Sequence, residues 1–295
     1  TCEHCNEPLD APLRDLFRLT NVTTRRQDRI SSDEEERQRQ GFELISGVRF
    51  AEREHHLSRR NAHIVGADGS KLGWLVYGPT ATVWRLNLGW RRRKDREQHG
   101  FVLDLNYGTW AKSEETVDDS DSASSDETLT SRTRRVIPYV DDTRNVLIFE
   151  PGFENALPIE TMASLEAALK RAIQVEFQLE ENELASEPLP SNKERSVILF
   201  YESAEGGAGV LRQLVSDPDA LDRVVVAAIE ICHIDPVTGN EGGGACSVAC
   251  YDCLLSYSNQ PDHEHLDRTR ALAILRSLQG SHTEEVQGDA ASIEE

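Results

Sequence analysis

The chain has 295 residues, of which 38% are hydrophobic, and it carries a formal net charge of −20 at pH 7. This acidity argues against a freestanding nucleic-acid-binding protein, because phosphates would be repelled unless local arginine patches or a basic partner supplied the contacts. The sequence contains no run of 18 apolar residues and opens with no signal peptide, so we expect no membrane partner and a cytoplasmic location.

The first residues contain a Cys-x-x-Cys pair, Cys2 and Cys5, with the spacing of half a zinc knuckle. A second pair does not follow, so the site would be completed by upstream residues, by His4 or a distant histidine, or not at all. Because the chain starts inside this pair and without an initiator methionine, we expect it to be the C-terminal piece of a longer protein. Residues 1–15 are therefore interpreted as a leader with a partial zinc knuckle, which would hold a second zinc ion if completed.

Residues 16–151 are predicted to form a β-rich domain. Apolar and polar residues alternate in short segments between Phe42 and Tyr107 and again over 135–149, which is typical of strands in an antiparallel sheet. Turns are expected at 67–69, at 77–79 and at 108. Residues 113–134 are rich in serine and acidic side chains and bury too little apolar surface to fold, so we expect a disordered insertion there.

Five arginines of this region are candidate DNA contacts: Arg25, Arg26, Arg91, Arg92 and Arg93. The last three open a basic loop between two predicted strands, where a rigid sheet could present them to phosphates. A charged hairpin tip is the other interpretation, because Asp95 and Glu97 dilute the positive charge. The four tryptophans of the region could stack on bases, although aromatic residues in alternating strands more often pack in a core.

Residues 152–280 are predicted to form an α/β domain. The expected fold class is therefore α+β, with an antiparallel β-rich N-terminal region followed by this α/β domain. The elements expected in order are a helix over 159–179, a buried strand over 196–201, a final helix over 269–279 and a disordered tail over 281–295. Residues 224–231 fit either a second buried strand or the end of a helix.

Four of the six cysteines are concentrated near the end of this domain: Cys232, Cys246, Cys250 and Cys253. Their spacing, C-x13-C-x3-C-x2-C, allows a loop and one turn to converge on one tetrahedral zinc ion. Four thiolates leave no open coordination position for water, which indicates a structural ion rather than a catalytic one. An iron–sulfur cluster also uses four cysteines and remains an alternative.

A metal-dependent nuclease or hydrolase is the alternative that would make this chain an enzyme. It would require an open metal position, for example if His233 replaced Cys232 or if His263 or His265 were recruited. The acidic and histidine residues available to it near the metal are Glu202, Asp252, His263 and His265.

The segment from Glu202 to Leu214 contains a glycine turn between a strand and a helix, where a helix N-terminus could hold a phosphate. It lacks the Gly-Lys-Ser/Thr of a nucleotide-binding loop, and Glu202 and Glu205 would repel a triphosphate. A packing role for the glycines is therefore the favoured interpretation.

Several of these patterns occur together in an order that resembles the MrfA-type zinc-binding domain. They are Glu205–Gly209 after an apolar strand, the four-cysteine set, and Tyr251–Gln260 followed by His265-Leu-Asp-Arg268. The resemblance covers 196–279, and the earlier segment Asn21–Arg37 is similar to the one that precedes the domain in large helicases of this kind. Such domains close the C-termini of many superfamily-two DNA helicases and also occur in proteins of the DISARM anti-phage system.

The resemblance implies that the four cysteines hold one structural zinc ion and that the chain supports a DNA helicase in DNA repair or phage defence. The chain itself has no Gly-Lys-Thr phosphate loop and no Asp-Glu-x-His box. The ATP-driven motor is therefore expected upstream or in a partner chain, with DNA as a further partner. A purely structural interaction module of a defence complex is the remaining alternative.

Overall fold

The computed structural model describes residues 13–20, 41–53, 56–111, 132–153, 156–203, 207–242 and 246–286. Several predictions fall outside these ranges. They concern the pair Cys2 and Cys5, the arginines Arg25 and Arg26, residues 113–131 of the insertion and residues 287–295 of the tail.

The described residues form a mixed α+β structure, which confirms the predicted fold class. The strands are β1 (Leu16–Arg18), β2 (Phe42–Arg49), β3 (Glu52–Arg53), β4 (His56–Leu57), β5 (Arg60–Val65), β6 (Lys71–Trp90), β7 (Phe101–Asp104), β8 (Thr109–Trp110), β9 (Thr133–Pro151), β10 (Leu184–Ser191), β11 (Glu194–Glu202) and β12 (His282–Val286). The helices are α1 (Ile159–Glu176), α2 (Val210–Ser216), α3 (Ala220–Ile231), a 3-10 helix (Tyr257–His265) and α4 (Arg268–Leu278). The main sheet has the order β10-β11-β9-β6-β5-β12, and β5, β9, β10, β11 and β12 make antiparallel pairs in it. Within the described ranges no helix is long and apolar enough to span a bilayer.

The chain divides into two compact units. The larger comprises Thr1–Glu7, Ser46–Val83 and Asp142–Glu295, and the smaller comprises Pro8–Ile45 and Trp84–Asp141. The division differs from the predicted boundary after residue 151, because it falls inside the long strands β6 and β9. Composition changes mark a boundary between elements well, but they cannot reveal a boundary inside a continuous strand.

Strand β6 also runs through the turn predicted at 77–79, so that prediction is wrong. Thr80, which follows Gly78 and Pro79 in the strand, takes a left-handed φ of 54°. Its N–H donates to the side-chain Oδ1 of Asn145 at 3.3 Å. The strand therefore continues through these residues without a hairpin.

Helix α1 forms the centre of the larger unit's core, as the apolar spacing predicts. Its inward residues are almost completely buried, among them Met162, Leu165, Leu169 and Ile173, and it packs on β10 and β11 and against α3 and α4. Residues 224–231 prove to be the end of helix α3 rather than a strand. The run is rich in valine, which favours strands. Its buried positions nevertheless recur at helical spacing, and this periodicity outweighs the strand preference of valine.

The tail predicted to be disordered from Ser281 instead begins with strand β12. This strand pairs antiparallel with β5, and its Thr283 is buried at 4% exposure. Arg60 of β5 binds Glu285 of β12 in a two-pronged ion pair at 2.7 Å. The prediction is wrong for 281–286. The segment is polar, so its composition gives no sign that it pairs with the open edge of β5.

A buried arginine, Arg195, joins three elements of the larger unit. Its guanidinium lies 3.2 Å from the carboxylate of Glu166 on α1 and 2.6 Å from that of Asp262 in the 3-10 helix. The hydroxyl of Ser186 donates to Glu166 at 2.8 Å. Burial raises the pKa of Glu166 to about 7, although the charge of Arg195 opposes the shift. This network ties the segment that follows the cysteines to the core.

The raised pKa of Glu166 predicts that the stability of the protein declines as the pH rises. The folded chain keeps this carboxyl protonated up to about pH 7, whereas the unfolded chain ionises it near 4.5. Its contribution to the free energy of unfolding is therefore full below pH 4.5 and is lost as the pH rises through about 7. The variant Glu166→Gln should flatten that decline, as measured by urea unfolding between about pH 5 and pH 8. Parallel pH profiles for the two proteins would contradict the assignment.

Candidate metal centre

Helix α3 ends in a turn that presents His233 to the cysteines. The N–H groups of His233 and Ile234 donate to the carbonyls of Glu230 and Ile229 at 2.8 and 3.2 Å, which is the Schellman pattern of a helix end. His233 takes a left-handed φ of 61°, in the position that glycine usually occupies. A side chain held there costs about 1–3 kcal/mol, and such strain is common at functional sites. The turn brings Nε2 of His233 to 3.3 Å from Sγ of Cys250.

Cys250 and Cys253 lie in a tight turn that directs both sulfur atoms to one place. The N–H groups of Cys253 and Leu255 donate to the carbonyl of Cys250 at 3.1 and 3.0 Å. The N–H of Cys250 in turn donates to Sγ of Cys253 at 3.0 Å. An N–H directed at sulfur favours the thiolate form, which is the form that binds a metal.

Four donor atoms converge at this point. The nitrogen of His233 and the sulfurs of Cys246, Cys250 and Cys253 all lie within 4.8 Å of one another. The sulfurs of Cys246 and Cys253 are 3.6 Å apart, close to the roughly 3.8 Å expected for two thiolates on one tetrahedral zinc ion. Three thiolates and one imidazole are a donor set that zinc prefers, so the residues fit a single zinc ion with four protein ligands.

Cys232 lies beside this group but outside it. It is completely buried at the end of α3, and its carbonyl accepts a hydrogen bond from Arg268 at 3.2 Å. Burial and the negative charge of Cys253 raise the pKa of Cys232 to about 12. The four-cysteine set predicted from the sequence thus shares three members with the converging group, and His233 stands in the fourth place.

The thiols of the group differ in their tendency to ionise. At Cys250, burial opposes ionisation, but hydrogen bonds from His233 and from the backbone of Asp252 outweigh it, and its pKa falls to about 7. At Cys253, burial dominates and raises the pKa to about 12. A metal ion must therefore displace a proton from Cys253, so zinc affinity should rise with pH.

Two arginines clamp the backbone around the group. Arg268, at the start of α4, donates to the carbonyls of Cys246 and Cys232 at 2.7 and 3.2 Å and to Glu241 at 2.7 Å. Arg171, on α1, donates to the carbonyls of Tyr251 and Cys253 at 2.8 and 3.1 Å. The cysteine loop is thereby fixed to α1, α3 and α4 through its carbonyls.

Sequence reasoning considered His233 only as a replacement for Cys232 in an open catalytic site, and it missed Arg171. The signal for His233 was its place directly after the helix, where glycine is the usual residue. Arg171 gave no signal, because one arginine on a helix resembles any exposed charge. Arg268 was already part of the quoted His-Leu-Asp-Arg pattern, but its contacts depend on the three-dimensional fold.

The glycine turn is occupied by a buried carboxylate. Glu202 is 1% exposed and accepts hydrogen bonds from the side chain of Asn145 at 3.0 Å and from the N–H of Leu211 at 3.2 Å. A Cβ on Gly207 would lie 1.6 Å from the Glu202 carboxylate. These contacts agree with a packing role for the turn.

The alternative hydrolase site would use Glu202, Asp252, His263 and His265. Among the described residues none of them belongs to the converging group. The Nε2 of His263 instead lies 3.0 Å from the carbonyl of Ser256 and 3.1 Å from Oδ1 of Asn259, within its own helix. Within the described part of the chain, the ring of His263 is thus held by hydrogen-bond partners outside the donor group.

The three described arginines of the candidate DNA contacts have different environments. Arg93 is buried at 9% exposure and binds Glu43 at 2.7 Å, and it also donates to the carbonyl of Arg96 at 2.7 Å. Arg91 donates to the carbonyl of Phe42, and Arg92 is exposed. Arg93 therefore holds the loop together, and only Arg91 and Arg92 have exposed side chains that can face a ligand.

The variant Arg93→Ala should destabilise the smaller unit by about 2 kcal/mol, because hydrogen bonds to a charged donor contribute about 1.5–3 kcal/mol each. The matched variant Arg92→Ala, one position away on the exposed side, should leave stability within about 0.5 kcal/mol of the parent. Thermal unfolding followed by tryptophan fluorescence measures both. Equal effects of the two substitutions would mean that the Arg93 contacts do not hold the loop.

Comparison with known proteins places the converging group inside a known domain type. Residues 165–254 match the family model described as the MrfA Zn-binding domain. No curated protein matches the chain. A solved structure described as the crystal structure of the DUF1998 helicase MrfA bound to DNA is similar, with a TM-score of 0.43 and 11% identity over 81% of this chain and 25% of that one. The chain thus spans about a quarter of that protein's length. The predicted resemblance to the MrfA-type zinc-binding domain is confirmed over residues 165–254.

Proposed function

We propose that this chain is the accessory, zinc-stabilised domain of an ATP-driven DNA helicase that acts in DNA repair or phage defence. The motor would lie upstream in the same polypeptide or in a partner chain. The family match to a zinc-binding domain of MrfA supports this assignment. The absence of a phosphate-binding motif from the 295 residues agrees with a supporting role.

The observation that carries the proposal is the convergence of four donor atoms within 4.8 Å. Four protein ligands complete the coordination of zinc and leave no place for an activated water, so the ion would hold structure rather than perform chemistry. Its ligands come from the end of α3 and from the loop before the 3-10 helix. The ion would therefore fasten that loop to the helical core.

We assign the ligands as His233, Cys246, Cys250 and Cys253. The alternative for the fourth position is the neighbouring Cys232, which would restore the four-cysteine set. The geometry favours His233, because its Nε2 already lies 3.3 Å from the sulfur of Cys250. The incomplete pair Cys2 and Cys5 remains a candidate for a second ion.

The accessory role is tested in the complete polypeptide or complex that contains the motor. Unwinding of a fluorescent partial duplex and ATP hydrolysis are measured with the parent chain and with Cys250→Ala. We expect at least a tenfold loss of unwinding with ATP hydrolysis partly retained, because the motor itself is untouched. Unwinding at the parent rate would contradict the accessory role, and DNA cleavage by the isolated chain would favour the hydrolase alternative.

A further inference from the structure

The smaller unit carries a row of exposed aromatic side chains, here called the aromatic stripe: Phe42, Trp90, Phe101, Trp110 and Phe17. Ring centroids of neighbours in the row lie 4.4–6.3 Å apart. Four of the five rings are 40–44% exposed, and Phe101 at the centre is partly buried. Rings of this size normally lie in a core, so a contiguous exposed row indicates a binding surface.

Strand register explains why three of the five rings share one face. Phe17 of β1 lies opposite Pro138, Phe101 of β7 lies opposite Val136, and Trp110 of β8 lies opposite Leu103. Opposite residues project from the same face of a sheet, as do residues two apart along a strand. These three rings therefore stand on a hydrogen-bonded scaffold that fixes their positions.

The stripe has positive surroundings in an acidic protein. The described residues of the smaller unit contain 11 arginines and lysines and 6 aspartates and glutamates, a balance of +5, whereas the whole chain carries −20. Residues 113–131, which the structure does not describe, add seven carboxylates to this unit. The excess of positive charge is therefore a property of the described residues of this unit.

Several of these cations adjoin the rings. Arg91 follows Trp90 and donates to the carbonyl of Phe42 at 3.1 Å, while Arg135 donates to the carbonyl of Gly100 beside Phe101 at 3.2 Å. Arg92 and Lys94 are exposed and make no ion pair within the described part of the chain. These two positive charges can therefore bind an anionic ligand at the Trp90 end of the stripe.

We infer that the aromatic stripe binds single-stranded DNA, with unpaired bases stacked on the rings and phosphates held by the arginines and lysine of the 91–94 loop. Exposed rings beside cations on a rigid sheet are the chemistry that recognises unpaired strands. A duplex offers phosphates but keeps its bases stacked on each other, so it could use only the cations. The choice of DNA over RNA rests on the proposed helicase role. The observations that define the stripe do not involve the zinc ligands.

The test measures binding of a fluorescent oligothymidine of about 15 nucleotides to the full chain by anisotropy at about 50 mM salt. We expect Trp90→Ala and Trp110→Ala each to weaken binding about tenfold, since one stacking contact has that order of effect. Tyr107→Ala removes a still more exposed ring of the same unit, 68% exposed and outside the stripe, and should change binding less than about twofold. A duplex of equal length should bind about tenfold more weakly than the single strand.

Fluorescence measurements keep the result interpretable if an alanine variant misfolds. Oligothymidine should quench the tryptophan fluorescence of the parent chain, and Trp90→Phe and Trp110→Phe should reduce the quenching while they retain binding. None of the substituted tryptophans is a proposed zinc ligand, so a failure of the zinc assignment would leave this result intact. The inference is overturned by absent binding, by parent-like affinity of both tryptophan-to-alanine variants, by equal affinity for the duplex, or by tighter binding of oligouridine.

Discussion

Replacing Cys250 with alanine is expected to remove zinc from the protein and to lower its stability more than any other single change proposed above. Cys250 is half-buried, so the loss of its own packing is small and the loss of the ion dominates. We expect the free energy of unfolding to fall by about 5 kcal/mol, less than the roughly 10–16 kcal/mol contributed by zinc in small zinc-finger peptides. The difference arises because α1, α3 and α4 form a hydrophobic core of their own around the site.

The matched control is Cys232→Ala. This substitution removes a thiol that is buried beside the ligands, but it leaves the proposed donor set intact. Zinc content should stay at about one ion per chain, with a packing loss near 1 kcal/mol. Metal analysis and thermal unfolding, with and without a chelator, measure both variants. If Cys232→Ala loses zinc while His233→Ala retains it, the fourth ligand is Cys232.

Replacing Arg268 with alanine is expected to have the second-largest effect. The side chain is almost entirely buried and bonds two carbonyls and one carboxylate around the metal loop. Its loss should cost about 3 kcal/mol, since hydrogen bonds to charged donors contribute about 1.5–3 kcal/mol each. Zinc affinity should fall about 10–100-fold, as is usual when residues that orient metal ligands are removed.

Two substitutions on α4 provide the comparison. Arg268→Lys keeps the charge but cannot reach three acceptors at once, so zinc affinity should be intermediate. Arg270→Ala removes an exposed arginine two residues away, whose pair with Asp267 is long at 3.8 Å, and should change neither stability nor affinity. Competition with a chromophoric chelator measures the affinities. Parent-like zinc affinity in Arg268→Ala would show that the clamp does not position the ligands.

The helical and metal-binding parts of the structure could be predicted because their signals are local. Apolar spacing locates α1, and the spacing of Cys246, Cys250 and Cys253 identifies the metal loop without any tertiary information. The family resemblance followed from the same short motifs. The helix and the metal loop are each determined by residues close together in the sequence, whereas the resemblance combines several such local motifs.

The features that could not be predicted depend on distant contacts. Strand β12 is polar along its length and becomes ordered by pairing with β5, more than 200 residues earlier in the chain. His233 was considered only as a replacement ligand in an open site, because its place among four donors depends on a left-handed residue at a helix end, which composition does not reveal. The aromatic stripe likewise requires the pairing of β7 with β8 and β9, since its members are scattered between residues 17 and 110.

The most direct test of the central claim is the absorption spectrum of the cobalt(II)-substituted protein, with metal content determined on the same sample. Zinc sites with four protein ligands accept cobalt in the same tetrahedral geometry, and each thiolate adds charge-transfer intensity. The account predicts one ion per chain, intense tetrahedral bands, and charge transfer from three thiolates that is retained in Cys232→Ala and reduced in Cys250→Ala. Weak bands typical of five or six ligands, or a chain that binds no metal, would contradict a closed structural site.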